Sequence, residues 1–98
     1  MRFSLKKPSE NMASLARRIG YRLITTTPDQ EFNLIRPLSR DYPRFHLYVK
    51  DWGGALEFSL HLDQKRPSYG RETAHSGEYD GTLVEGEEQR IKEALTKL

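Results

Sequence analysis

Imidazole and carboxylate side chains are concentrated in the second half of this sequence. His61 and Asp63 are separated by one residue, so on a β-strand the two side chains would lie on the same face. A polar segment further along the chain contains Lys65, His75, Glu78 and Asp80. Another histidine, His46, precedes His61 in the chain. Imidazole nitrogens and carboxylate oxygens that converge can hold a divalent cation such as zinc or manganese. One hypothesis is therefore a metal site formed by His46, His61, Asp63 and His75.

A bound metal would support the hydrolysis of phosphodiesters, with Lys65 suited to stabilise a phosphate oxygen or a developing negative charge. The histidine spacings match no established zinc pattern such as HExxH, and strand histidines next to acids are more often hydrogen-bonded surface pairs. Without a metal, His61 or His75 could act as a general acid or base, polarised by Asp63 or Glu78. These alternatives leave the catalytic residues, and the question whether the protein is an enzyme, open.

A predicted β-hairpin must position the histidines. Apolar and polar residues alternate in segments 45–50 and 56–63, which is the pattern of strands that bury one face. Between them, Gly53 and Gly54 suit a two-residue type I′ turn, because both of its central residues need positive φ angles. The central element of the fold is therefore a pair of antiparallel strands with one apolar and one polar face.

The length of the turn decides which residues face each other. The two-residue turn would place Lys50 opposite Glu57, and His46 opposite His61. A four-residue turn would place His46 beside Ser59 instead. We favour the shorter turn because it pairs opposite charges, which contributes about a few tenths of a kcal/mol.

A polar segment, 64–81, follows the hairpin and shows little periodicity. Structureless loops longer than about 12–15 residues are uncommon in small domains and are usually functional or disordered. Tyr69 and Tyr79 could anchor this segment on the core, so we expect an ordered loop that forms a binding site with the adjoining sheet face. The predicted binding residues are Tyr48, His61, Asp63, Lys65, Tyr69, His75, Glu78, Tyr79 and Asp80.

The remaining sequence predicts two helices and further strands. One helix would have Ser9 as its N-cap and end at Gly20, and the other would begin with a capping box formed by Thr82 and Glu85. Alternating residues predict the other strands at 1–5, 21–26 and 31–38. We therefore expect one α+β domain, 1–98, built as a two-layer sandwich. Its mainly antiparallel sheet would have four strands, or five if segment 1–5 forms one, with the N-terminal and C-terminal helices packed on one face.

The other face of the predicted sheet is polar and open to a partner. Its expected residues are Arg22, Asn33, Arg36, His46, Tyr48, Lys50, Glu57, Ser59 and His61. Tyr48 among cations suits single-stranded nucleic acid, and the first 50 residues contain 10 Lys/Arg against 4 Asp/Glu. A solvated surface is the simpler alternative. An exposed edge strand, either 21–26 or the strand with Pro37, could instead pair with a second copy in a homo-oligomer.

Composition favours a soluble cytoplasmic protein. The 98 residues include no cysteine, which excludes disulfides and cysteine-ligated zinc and is most simply explained by a reducing compartment. No apolar run approaches the roughly 20 residues that span a bilayer, and the N-terminus lacks the apolar core of a signal peptide. We therefore expect no membrane association.

Three segments carry a resemblance to a known group of proteins: HLDQK at 61–65, PSY at 67–69 and AHSGEYDG at 74–81. In these segments the chain resembles a group of small uncharacterised bacterial proteins. The resemblance implies a bacterial cytoplasmic protein and assigns no catalytic or binding role. The leading hypothesis is a ligand- or macromolecule-binding domain that uses residues 61–81 and the polar sheet face. The alternatives are a metal-dependent hydrolase acting on phosphodiesters and a structural subunit of a homo-oligomer.

Overall fold

The computed structural model describes residues 1–64, 77–78 and 81–96. Its elements along the chain are β1 (Arg2–Lys6), α1 (Met12–Arg18), β2 (Arg22–Thr26), β3 (Glu31–Pro37), β4 (Arg44–Asp51), β5 (Ala55–Asp63), β6 (Gly77–Glu78) and α2 (Thr82–Thr96). Neighbouring strands are antiparallel in the order β1-β5-β4-β3-β2, and the two-residue β6 pairs with the end of β5. The α+β class, the antiparallel sheet and the two helices are confirmed, and β1 supplies the fifth strand.

The β4–β5 hairpin has the predicted two-residue turn. The Trp52 amide donates a 3.0 Å hydrogen bond to the Ala55 carbonyl and so closes the turn around Gly53 and Gly54. Of the two glycines only Gly53 has a positive φ angle, +94°. A single positive φ at the first central residue is the property of a type II′ turn, so the predicted type I′ was wrong while its length was right.

The short turn produces the predicted register. Lys50 lies opposite Glu57, and His46 lies opposite His61. As a result, the apolar side chains of both strands project from one face of the sheet, and the polar side chains project from the other. We call these the apolar face and the polar face.

One buried cluster forms the core. Strand residues of the apolar face supply most of it: Phe3, Leu34, Phe45, Leu47, Val49, Leu56, Phe58, Leu60 and Leu62. The helical segments add five buried residues to the same cluster: Leu15, Ala16, Ile19, Val84 and Ile91. Each fully buried aliphatic or aromatic side chain stabilises the fold by about 1.5–3 kcal/mol relative to an exposed one. This cluster is therefore the main source of stability.

The helix starts differ from their predicted positions. The N-cap of α1 is Asn11 rather than Ser9, because its side chain accepts a 2.8 Å hydrogen bond from the Ser14 amide. In α2 the Glu85 amide donates to the Gly81 carbonyl, so Gly81 is the N-cap and the helix begins at Thr82, one residue earlier than the predicted cap at Thr82 implies. Neither described helix is long and apolar enough to span a membrane.

Two expectations about β3 were wrong. This strand lies between β2 and β4, so Pro37 is the last residue of an interior strand and only β2 remains as the predicted edge strand. The register of β2 shifts between Leu23 and Thr25, an irregularity of the kind that disfavours further pairing at an edge. Arg36, expected on the polar face, pairs with Phe45 and shares the apolar face with Leu34.

Candidate functional site

Two histidines lie side by side on the polar face. His46 on β4 and His61 on β5 are direct partners in the ladder, and their ring centroids are 4.9 Å apart. Asp63 follows His61 by two residues and therefore projects from the same face. The structure thus brings together three of the four predicted metal ligands. We call His46, His61 and Asp63 the His-Asp-His cluster.

The Asp63 carboxylate lies at the centre of this cluster. Its Oδ1 atom is 2.9 Å from Nε2 of His61, and its Oδ2 atom is 3.1 Å from Nδ1 of His46. Arg44, the ladder partner of Asp63, donates from Nε to Oδ2 at 3.3 Å. One ligand atom from each member of the cluster lies within 4.8 Å of the others.

Hydrogen bonds keep the Asp63 carboxylate ionised. Partial burial by itself would raise the pKa of Asp63, but the hydrogen bonds from His46 and His61, together with their positive charge, lower that pKa well below its ordinary value. At neutral pH the cluster therefore contains an anion that attracts protons or a metal cation.

His46 is placed between two hydrogen-bond acceptors. Its Nδ1 atom faces the Asp63 carboxylate, and its Nε2 atom is in hydrogen-bond contact with Oδ1 of Asn33. A neutral imidazole has only one N–H group, whereas the imidazolium has two. The Asn33 carbonyl oxygen faces Nε2, so a favourable contact there requires the N–H group on Nε2. The contact of Nδ1 with the carboxylate is then favourable only if a second proton or a metal ion lies at Nδ1.

The cluster is largely withdrawn from water. His46 and His61 are 9% and 8% exposed, and the Asp63 side chain is 21% exposed. Ile35, the β3 partner of His46, is 4% exposed although it belongs to the polar face. Ionisable groups are costly to bury unless they bond to one another, and those with shifted pKa values are concentrated at functional sites. The cluster therefore has the properties of a functional site.

Tyr48 extends the cluster along β4. Its ring stacks on His46 with centroids 4.5 Å apart, and it lies 5.7 Å from the His61 ring. Beside it is a shallow cleft of about 250 Å³. Two cations, Arg2 and Lys50, and two anions, Glu31 and Glu57, line the cleft together with Tyr48 and Ser59. A cleft with balanced charge suits a small polar ligand better than a polyanion.

Several predicted binding residues lie outside the described residues: Lys65, Tyr69, His75, Tyr79 and Asp80. A contact of His75 with the cluster therefore stays a prediction. The backbone of Glu78 pairs with Leu62, and that of Gly77 pairs with Asp63. The chain thus returns to the end of β5 beside the cluster after residue 76.

Asn33 and Arg44 were not predicted to belong to the site. Arg44 has the same strand parity as His46, and the predicted register already places it opposite Asp63. Asn33 was expected on the polar face, but its contact with His46 depends on β3 lying next to β4. Strand parity could therefore have identified Arg44, whereas Asn33 required the strand order.

Four of the ten cations of the basic first half form ion pairs with acids among the described residues. Lys7 forms an ion pair with Asp51, Arg18 with Glu10, Arg36 with Glu87 and Arg44 with Asp63. Nucleic-acid binding draws its affinity mainly from cations that meet phosphates. The paired cations therefore weaken the argument for a nucleic-acid partner.

A second buried polar cluster lies between α2 and the β2–β3 region. Glu87, 4% exposed, accepts hydrogen bonds from the Tyr21 hydroxyl at 2.7 Å and from Arg36 Nη1 at 3.0 Å. Arg90 donates to both Glu87 oxygens and, through Nη2, to the Ile19 carbonyl at 2.6 Å. This cluster was not predicted from the sequence.

No protein-family model matches this chain, and no curated protein or solved structure shows a significant match to it.

Proposed function

We propose that this chain is a ligand-binding domain and that its ligand binds on the polar face at the His-Asp-His cluster. The observation that supports this proposal is the placement of two imidazoles on one carboxylate at 8–9% exposure of the imidazoles. Replacing a buried ion pair by apolar side chains is often neutral or stabilising, so stability alone does not account for such a cluster. Its place on the polar face is better explained by binding.

The two-layer arrangement belongs to the same proposal. Residues of both helices enter the core cluster with the side chains of the apolar face. If both helices cover that face, the polar face stays accessible to a ligand. The pairing of Gly77 with Asp63 supports including segment 61–81 in the binding region.

A small polar ligand fits this surface better than a macromolecule. The cleft beside Tyr48 is about 250 Å³, and its two cations, Arg2 and Lys50, are balanced by Glu31 and Glu57. Long-range attraction of a polyanion needs a surface of one sign. We therefore favour an ion or a small molecule that contacts the cluster directly.

Two-dimensional ¹H–¹⁵N NMR tests this proposal on the full chain. The probes are zinc chloride, sodium phosphate, adenosine monophosphate and a single-stranded oligonucleotide. We expect one of the first three to shift the amide signals of His46, Tyr48, His61 and Asp63 while the signal of Ser14 in α1 stays in place. If no probe perturbs the polar face, or if the changes are confined to the helices, the proposal is wrong.

A metal-dependent hydrolase acting on phosphodiesters is a second candidate. The specific observation in its favour is that ligand atoms of His46, His61 and Asp63 lie within 4.8 Å of one another, next to the Arg44 guanidinium. A metal there could activate water, and Arg44 could stabilise a phosphate oxygen. The test is hydrolysis of bis(4-nitrophenyl) phosphate with zinc or manganese. Turnover that persists unchanged in Asp63→Asn would contradict this candidate.

A further inference from the structure

The donor atoms of the His-Asp-His cluster have the separations of a metal site. In a tetrahedral site with zinc–ligand distances of about 2.0–2.1 Å, neighbouring ligand atoms are roughly 3.3 Å apart. Asp63 lies 3.1 Å from Nδ1 of His46 and 2.9 Å from Nε2 of His61, measured from its two oxygens. One ligand atom from each of the three residues lies within 4.8 Å of the others, so side-chain rotation could bring all three groups into contact with one ion.

The surroundings of His46 favour a cation at Nδ1. Nε2 of this ring faces the Asn33 carbonyl oxygen, an arrangement that keeps a proton on Nε2. Nδ1 faces the Asp63 carboxylate, which is also an acceptor, so a proton or a metal ion must lie between them. Metal-bound histidines almost always donate their other N–H group to such an oxygen, which fixes the ring orientation.

We propose that the ligand of the polar face is a divalent transition-metal ion of the zinc class, bound by Nδ1 of His46, Nε2 of His61 and one oxygen of Asp63. This inference rests on the proposed function of that face. The ion replaces protons that otherwise lie between the imidazoles and the carboxylate, and these protons pass to the solvent. Nitrogen donors select zinc-like ions over magnesium or calcium, which prefer sites made of oxygen.

Arg44 and Asn33 act on the ion through its ligands. Arg44 bonds to Oδ2 of Asp63, which leaves Oδ1 for coordination. Asn33 orients the His46 ring from its far side. Three ligands leave the fourth tetrahedral position for water or for an exogenous anion.

The first experiment is calorimetric titration of zinc chloride into the EDTA-treated, dialysed full chain, followed by the visible spectrum of the cobalt(II) form. We expect one ion per chain and the intense absorption of tetrahedral cobalt. Asp63→Asn and His61→Gln should abolish both signals. Asn33→Ala should weaken zinc binding by about 10–100-fold, as for other residues that orient a metal ligand. Asp51→Asn, which changes an acid outside the cluster, should bind zinc as the unchanged chain does.

Circular dichroism first establishes that each variant is folded. The cobalt spectrum of the unchanged chain tests the proposal even where a variant does not fold. If zinc binds no better to the unchanged chain than to Asp63→Asn, the metal proposal is wrong. The NMR titration then separates this failure from failure of the proposed function. If phosphate or adenosine monophosphate shifts the polar-face signals, the face binds a ligand without a metal. If no probe causes a response, both proposals are wrong.

Discussion

The Tyr21 hydroxyl donates a 2.7 Å hydrogen bond to the Glu87 carboxylate, joining the residue that precedes β2 to α2 across 66 residues of sequence. Arg36 from β3 and Arg90 from α2 bind the same carboxylate. One buried acid therefore connects α2 to two strands and, through Arg90 and the Ile19 carbonyl, to the end of α1.

Substituting Glu87 should destabilise the fold more than substituting its neighbour in the helix. In Glu87→Ala, the Tyr21 hydroxyl and two guanidinium groups lose their shared partner. We expect the free energy of unfolding to fall by about 2–3 kcal/mol, less than for a fully buried ion pair because Arg36 and Arg90 remain partly exposed. Urea denaturation measures the change. Glu88→Ala, which breaks only a pair with Lys92 at the surface, should cost less than about 1 kcal/mol and serves as the control.

Stability should fall at alkaline pH because of Tyr21. Burial raises the pKa of Tyr21 far above its ordinary value of 10.0, and the charge of Glu87 adds to the effect. The unfolded chain therefore loses the phenolic proton first, and the stabilisation is complete below about pH 10 and is lost as the pH rises further. Thermal melts between pH 8 and about 11 should show this loss in the unchanged chain. A Tyr21→Phe variant with the same alkaline slope would contradict the assignment.

Asp63 should produce the opposite dependence in acid. The hydrogen bonds from His46 and His61 outweigh partial burial and lower the pKa of Asp63 below its unfolded value of about 3.8. Its stabilisation is therefore complete above the unfolded pKa and is lost as the pH falls below it. Melting temperatures of the metal-free chain from about pH 6 to 2 should fall more steeply than those of Asp63→Asn. Parallel curves would show that the cluster does not stabilise the ionised carboxylate.

The two glycines of the hairpin turn should respond differently to alanine. Gly53 has a φ angle of +94°, whereas Gly54 does not have a positive φ, and a Cβ atom at either position meets no atom within 4 Å. Gly53→Ala should therefore cost about 1–2 kcal/mol through backbone strain alone. Gly54→Ala should be close to neutral, because alanine also restricts the unfolded chain. Equal losses in urea denaturation would mean that the turn has a different geometry.

The sequence by itself determined the central hairpin and half of the candidate site. The period-2 alternation in 45–50 and 56–63 defined the two faces, and the pairing of Lys50 with Glu57 favoured the two-residue turn and its register over the four-residue alternative. Together they placed His46 opposite His61, with Asp63 on the same face. These are relationships between segments joined by one turn, so local geometry is enough to predict them.

Part of the second polar cluster could have been predicted from the spacing of buried residues in α2. Val84, Glu87 and Ile91 have the i, i+3, i+7 spacing of one helix face, which places the glutamate among buried apolar residues. Its partners could not be read from the helix. Arg36 was assigned to the wrong face, although its parity with Leu34 indicated the apolar one.

Only the tertiary structure decided which strands are neighbours and which side chains meet across them. Alternation assigns a residue to a face but contains no information on strand order, so the contact of Asn33 with His46 required β3 to lie beside β4. The pairing of β1 with β5, whose paired residues are 49 to 57 positions apart, likewise depends on how the apolar faces of all elements fit into one core. Such contacts are selected by the burial of the whole chain, since no local segment specifies them.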